Sequence, residues 1–272
     1  MRPHVKGYLF DLDGVLWFGK RPIIGAKETI NTLRMQGNTV LFVSNTSSRS
    51  REDNLERFRT MGIKIYDHEL IVASEETAKH LAALKAKAKA CVLGSRGLFN
   101  ELEKANLEVQ PPGSAPIDSF DFLVVGKDKT IDYTKLTFAF QVIDAGADFV
   151  AINCDTIVPG DHGLEPGAGA IVAMIAAMVE RPPDIMIGKP GTFLLELALR
   201  RSGLAVEECV MVGDTLNSDI IAGNRMNMLT ALVLTGNTSR TRLNGKMSCE
   251  QRPDVVLDSI TDLMQEDWLE RV

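Results

Sequence analysis

The chain has 272 residues and a mass of 29.8 kDa, room for one large domain or two modest ones at roughly 100–200 residues each, and enough to bury a core without disulfide or metal staples. With 45% hydrophobic and 24% charged residues its composition is ordinary for a globular protein, which excludes wholesale disorder, collagen-like repeats and coiled coils. Thirty Lys+Arg against 36 Asp+Glu leave a net charge of -6, a poor match for a protein whose affinity rests on a positive field around nucleic acid.

The N-terminal run Met1-Arg2-Pro3-His4-Val5-Lys6 reaches Asp11 after an apolar stretch too short for a signal-peptide core. Tyr8-Leu9-Phe10 reads as a buried strand and is followed by Asp11-Leu12-Asp13-Gly14-Val15. Ala26 to Met35 has helical periodicity, Val40-Leu41-Phe42-Val43 is a second strand, and Arg51 to Met61 a second helix. Lys85-Ala86-Lys87-Ala88-Lys89-Ala90 is a charged punctuation and Arg181-Pro182-Pro183-Asp184 a helix breaker. Between them residues 84–182 read as an inserted α/β unit, with strands near Ala90-Leu93, Phe122-Val125 and Phe149-Ile152, a turn-rich loop at Pro111-Pro116 and a helix from Gly169 to Glu180.

Beyond the breaker, Ile185-Met186-Ile187 leads into Gly188-Lys189-Pro190, and a helix follows from Phe193 to Arg200. Val210-Met211-Val212 precedes Gly213-Asp214, a helix spans Ser218 to Met226, and Ala231-Leu232-Val233-Leu234 is a last strand. Residues 1–83 and 183–272 thus form the two parts of one α/β core with a parallel sheet and right-handed crossovers. The least charged stretch, Pro166 to Val179, is shorter than the roughly 20 apolar residues that cross a bilayer. Cys91, Cys154, Cys209 and Cys249 form no metal or disulfide spacing. A soluble, cytoplasmic protein is expected.

Polar residues at strand ends carry the chemistry, because open α/β sheets bind ligands at the carboxyl edge of their strands. Asp11 and Asp13 repel each other unless compensated, and Mg²⁺, which prefers carboxylate, carbonyl and water oxygens, is one compensator. A helix cap, or a fragment of a calcium loop lacking its later ligands, is the alternative. Ser44-Asn45-Thr46-Ser47-Ser48 offers a hydroxyl and successive backbone N–H groups, either an anion cradle or a capped helix start. Lys189, held between Gly188 and Pro190, suits a phosphate contact or a turn. Asp214 is placed for metal ligation, and Asp219 either orients a metal-bound water or caps the next helix.

In this order the segments resemble the four motifs of the haloacid dehalogenase-like superfamily: Asp11-Leu12-Asp13-Gly14-Val15, Ser44, Lys189, and Gly213-Asp214 with Asp219. About 145 residues separate Ser44 from Lys189, so the insertion resembles a C2-type cap. Asn153-Cys154-Asp155, Pro159 and Gly163-Leu164-Glu165-Pro166-Gly167-Ala168-Gly169 are similar to the cap segment of the NagD and p-nitrophenyl phosphatase-like subfamily. Thr46, Cys154 and Asn224-Arg225-Met226-Asn227-Met228 depart from that pattern, and Asn227 suits the left-handed helix terminus that glycine would take.

The resemblance implies a three-layer α/β/α Rossmann-like core and a Mg²⁺-dependent phosphomonoester hydrolase acting on small metabolites. Asp11 would be the nucleophile that becomes an aspartyl-phosphate, and Asp13 the general acid and base. Mg²⁺ would lie on the Asp11 carboxylate, the Asp13 carbonyl and Asp214, with Asp219 behind them, while Ser44, Asn45 and Lys189 hold the phosphoryl oxygens. Asp155, Val158 and His162 lie on the loop expected to roof the site, where Ile157 and Val158 favour a small or partly apolar substrate. Trp17 and Phe18 are expected near the entrance, His68 and His80 on the surface. No nucleic-acid or membrane partner is expected, and a homodimer through the cap stays open. The rival reading is a ligand-binding protein or phospho-receiver without turnover on the same scaffold. A dinucleotide site at Gly167-Ala168-Gly169 lacks both the preceding strand and the third glycine.

Overall fold

Six parallel strands form the first sheet in the order Val255–Leu257, Leu229–Val233, Cys209–Gly213, Gly7–Phe10, Thr39–Ser44 and Leu70–Val72. The computed structural model describes residues 5–160, 163–265 and 268–271. Chain order reverses on either side of Gly7–Phe10, which leaves a crevice at the carboxyl end of that strand. Alternation along it decides its packing. Tyr8 and Phe10 join Phe42, Phe58 and Ile30 on one face, and Leu9 joins Leu41, Ile71 and Met211 on the other. Helix Ala26–Met35 buries Ala26, Thr29, Ile30 and Leu33 at helical spacing against the first of these faces.

A second parallel sheet of five strands has the order Ile185–Met186, Asp148–Ala151, Phe122–Val125, Lys89–Leu93 and Glu108–Gln110. Helices Tyr133–Asp144 and Ala168–Val179 cover one face through Phe149, Ile171 and Ile175. The opposite face shares one hydrophobic cluster with the first sheet, in which Val92, Val124 and Val150 stand with Leu9, Leu41 and Leu194. An antiparallel hairpin, Ile157–Gly160 with Gly163–Pro166, projects from this second unit.

The sequence places Ile185-Met186-Ile187 after the insertion, with Lys189 at its strand end. The structure puts Ile185–Met186 in the second sheet instead, beyond the expected boundary at 182. The cause is local: Asp184 donates its backbone N–H to Phe149 and accepts one from it at 2.8 and 2.7 Å, so the chain leaving the breaker runs beside Asp148–Ala151. Lys189 follows in a turn. The expected helix from Ser218 to Met226 is a wide π turn, Leu216–Ile220, continued by the α-helix Ile221–Arg225, and Asn227 takes the left-handed conformation at its end with φ 54°. No helix among the described residues is long and apolar enough to cross a membrane.

Candidate active site

Asp11 stands one residue past Gly7–Phe10, fixed there by its backbone N–H donating to the Val212 carbonyl at 2.9 Å. Asp214 stands one residue past the neighbouring strand, Cys209–Gly213. One carboxylate oxygen from each of Asp11, Asp214 and Asp219 lies within 4.8 Å of the others, and all three residues are buried. A Cβ at Gly14 or Gly236 would overlap the Asp214 carboxylate, so two loops close on that group only because they present glycine. Asn237 donates its backbone N–H to Asp214 Oδ2 at 2.6 Å, and the Thr215 hydroxyl donates to Oδ1 at 2.9 Å.

Lys189 has no exposed surface, and its ammonium donates to Asp11 Oδ1 at 2.8 Å, Asp219 Oδ1 at 2.6 Å and the Val43 carbonyl at 3.0 Å. Burial alone would lower its pKa, but the Asp11 and Asp219 carboxylates outweigh that and raise it, so the group stays charged. Asp219 also accepts the backbone N–H groups of Asp214 and Thr215, both at 3.1 Å, through its other oxygen. It therefore shapes the acidic loop and anchors the lysine.

One ammonium against three carboxylates leaves negative charge in excess. Burial, countered by Lys189 and reinforced by Asp219 and Asp214, pushes the Asp11 pKa well up. Burial and then the Asp219 charge push Asp214 up to about 7. Hard oxygen donors at this separation, under-compensated by protein cations, fit a small divalent cation such as Mg²⁺.

Ser44, Asn45, Asp13, Asp155 and Val158 line the same cavity of about 100 Å³ as the three acids. The Ser44 hydroxyl accepts from the Thr46 N–H at 3.3 Å. Asn45 brackets the lysine turn: Oδ1 accepts the Lys189 N–H at 2.7 Å and Nδ2 donates to the Lys189 carbonyl at 3.0 Å. The same Nδ2 donates to Asp155 Oδ2 at 2.7 Å, tying the second unit to this loop. Burial, countered by that hydrogen bond, raises the Asp155 pKa to about 6. Gly167 and Gly169 serve this loop too, since a Cβ at either would overlap the carbonyl of Asp155 or Cys154.

Asp13 turns toward the cavity mouth. Its carboxylate accepts from the Trp17 indole at 3.0 Å and pairs with Arg57 at 3.2 Å and with Arg49. Trp17 is thus fully buried beneath Asp13, and Phe18 is the exposed member of the pair. His68 is exposed, whereas His80 is half-buried edge-on against Phe193. Ile157 lines an adjoining cavity that shares Asp155, Thr215 and Asn237 with that of the acids. His162 lies outside the described residues. Sequence reasoning missed Arg49, Arg57, Lys127, Thr215 and Asn237. Arg49 is the one with a signal in the sequence, standing at the end of the polar run that begins at Ser44.

A family model described as haloacid dehalogenase-like hydrolase matches residues 8–108, and a second, HAD-hydrolase-like, matches residues 186–263. The 5'-nucleotidase YutF of Bacillus subtilis is 34% identical over 257 residues, covering 94% of this chain and 96% of the relative. The p-nitrophenyl phosphatase from Archaeoglobus fulgidus superposes with a TM-score of 0.86 at 35% identity over 99% of this chain and 100% of that one. Glycerol phosphate phosphatase Rv1692 from Mycobacterium tuberculosis, solved in complex with magnesium, superposes with a TM-score of 0.82 at 28% identity, covering 96% of this chain and 77% of that one. With the relatedness extending from end to end and the acids gathered at the crevice, the chain belongs to the haloacid dehalogenase-like hydrolases, in their NagD and p-nitrophenyl phosphatase-like branch.

Proposed function

We propose that the protein hydrolyses small phosphomonoesters by passing the phosphoryl group through Asp11. The observation that carries this reading is the convergence of Asp11, Asp214 and Asp219, with a fully buried Lys189 bonded to the first and the last of them. The Asp11 and Asp214 carboxylates and the Asp13 carbonyl would hold Mg²⁺, which when bound screens the negative charge of nucleophile and substrate. Attack by the Asp11 carboxylate forms an O–P bond as the ester P–O bond breaks. Lys189 stays beside Asp11 throughout, and the Ser44 hydroxyl and the Asn45 amide would hold the phosphoryl oxygens.

Asp13, protonated and released from Arg49 and Arg57 when substrate is seated, would deliver a proton to the departing alkoxide. It would then take one from the water that attacks phosphorus, releasing phosphate and restoring Asp11. The second sheet, its helices and the hairpin 157–166 would act as a cap, with Asp155 reaching from it to Asn45. Four free cysteines fit a reducing, cytoplasmic setting.

Assaying p-nitrophenyl phosphate with Mg²⁺ and with EDTA, on the wild type and on Asp11→Asn, tests the reading. Turnover should require the metal, and Asp11→Asn should lower kcat by about a thousandfold or more. A phosphoprotein that accumulates without releasing phosphate, or an Asp11→Asn variant of near-normal rate, would overturn it.

A further inference from the structure

The cavity at the acids opens into a larger cleft of about 530 Å³ between the two units. Asp13, Ser48, Arg49 and Lys127 line both spaces and so ring a passage open to a leaving group. Among the described residues the ring is cationic and under-neutralised. Asp13 alone serves two guanidinium groups, those of Arg49 and Arg57. Glu165 alone serves two ammonium groups, those of Lys127 and, at 3.0 Å, Lys129. The other acids of the cleft are engaged elsewhere: Asp53 caps the helix behind Ser50, and Glu56 pairs with Arg59 at 2.8 Å. Lys127 is largely buried, with 13% of its side chain exposed, and Arg49 Nε is a buried donor with no hydrogen-bond partner among the described residues. A buried, unsatisfied guanidinium nitrogen beside a shared carboxylate has a donor to spare for an incoming anion.

From these contacts we infer that the cleft selects esters whose leaving group carries a second anionic group, a carboxylate or another phosphate, received by Arg49 and Lys127. This rests on the phosphatase reading and adds the substrate class to it. Ile157 lines a further cavity that shares Asp155, Thr215 and Asn237 with that of the acids, and Val158 lines the inner one, so both offer apolar surface apart from the Arg49 and Lys127 wall.

A matched pair of esters tests the inference: 2-phosphoglycolate and ethyl phosphate differ chiefly by a terminal carboxylate in place of a methyl. In the wild type with Mg²⁺, kcat/KM for 2-phosphoglycolate should exceed that for ethyl phosphate by about tenfold or more, chiefly through KM. Lys127→Gln and Arg49→Gln should each bring the ratio toward one, whatever they do to the two rates in common. Calorimetric titration of the same two esters into Asp11→Asn, and into Asp11→Asn combined with Lys127→Gln, reads the selection without turnover. Equal affinities in Asp11→Asn beside normal hydrolysis of p-nitrophenyl phosphate would overturn the inference and leave the reaction standing. Unequal affinities that depend on Lys127 in a protein hydrolysing no ester would do the reverse.

Discussion

Asp155 shows how one side chain can join two parts of a molecule and leave a mark on its pH behaviour. Its half-buried carboxylate lies against Asn45, and its pKa is raised to about 6. The unfolded chain gives up that proton near pH 4, so between pH 4 and 6 the folded state holds a proton that the unfolded state has lost. The group's contribution is therefore most favourable below about pH 4, falls as pH rises through 6, and is constant beyond. Asp155→Asn, which can keep the hydrogen bond without the charge, should flatten that decline, and urea midpoints at pH 4.5 and 7 for both proteins will show it. An unchanged difference between the two pH values would place the titration elsewhere. At this scale the sequence was legible where chemistry is written in residue type at a strand end, as with Asp11 and Asp214. It was not legible for Arg49 and Lys127, because an arginine or lysine in a polar loop reads as a solvated charge until folding supplies a wall.

The segment from Ser44 to Ser50 illustrates the element scale, for it is pressed against the second unit by backbone rather than by side chains. A Cβ at Gly97 would lie 2.7 Å from the Ser48 carbonyl, and one at Gly126 would lie 2.9 Å from that of Ser47. The Ser95 hydroxyl donates to the Ser48 carbonyl at 2.6 Å, and the Lys127 N–H donates to the Ser47 hydroxyl at 3.2 Å. Gly97→Ala should therefore displace the Ser44–Ser50 loop, costing about 1–3 kcal/mol of stability and raising KM several-fold with a smaller change in kcat. Chemical denaturation and steady-state kinetics on one preparation will separate the two effects. The long apolar strands of both sheets were legible from their lack of polar alternation. Leu70–Val72, Glu108–Gln110 and Val255–Leu257 were not, being three-residue strands at or near sheet edges that borrow their conformation from a neighbour.

At the scale of the whole molecule, a single apolar cluster spans the two sheets, and the acids sit at the crevice beside it. A divalent cation that relieves the crowding of Asp11, Asp214 and Asp219 binds the folded state alone and should raise Tm with concentration, by roughly 4 kcal/mol of stability at 1,000 times its Kd. Thermal melts across a Mg²⁺ series, with EDTA as the return control, test this, and a flat Tm would speak against a cation at the three acids. The family was legible because its four motifs stand in order along the chain. The assignment of Ile185–Met186 to the second sheet was not, since a short strand carries no mark of which sheet will take it.

The central strand has one further consequence, for the protein's own synthesis. Gly7 pairs with Cys209, a partner about 200 residues later in the chain. At 5–20 residues per second a ribosome needs roughly 10–40 s to make that interval. For all of it the emerging Gly7–Phe10 segment can pair with Thr39–Ser44 on one side only, its other edge open to stray β-pairing. A nascent chain thus carries Asp11 from early on, yet gains Lys189, Asp214 and Asp219 around it only about 180–210 residues later.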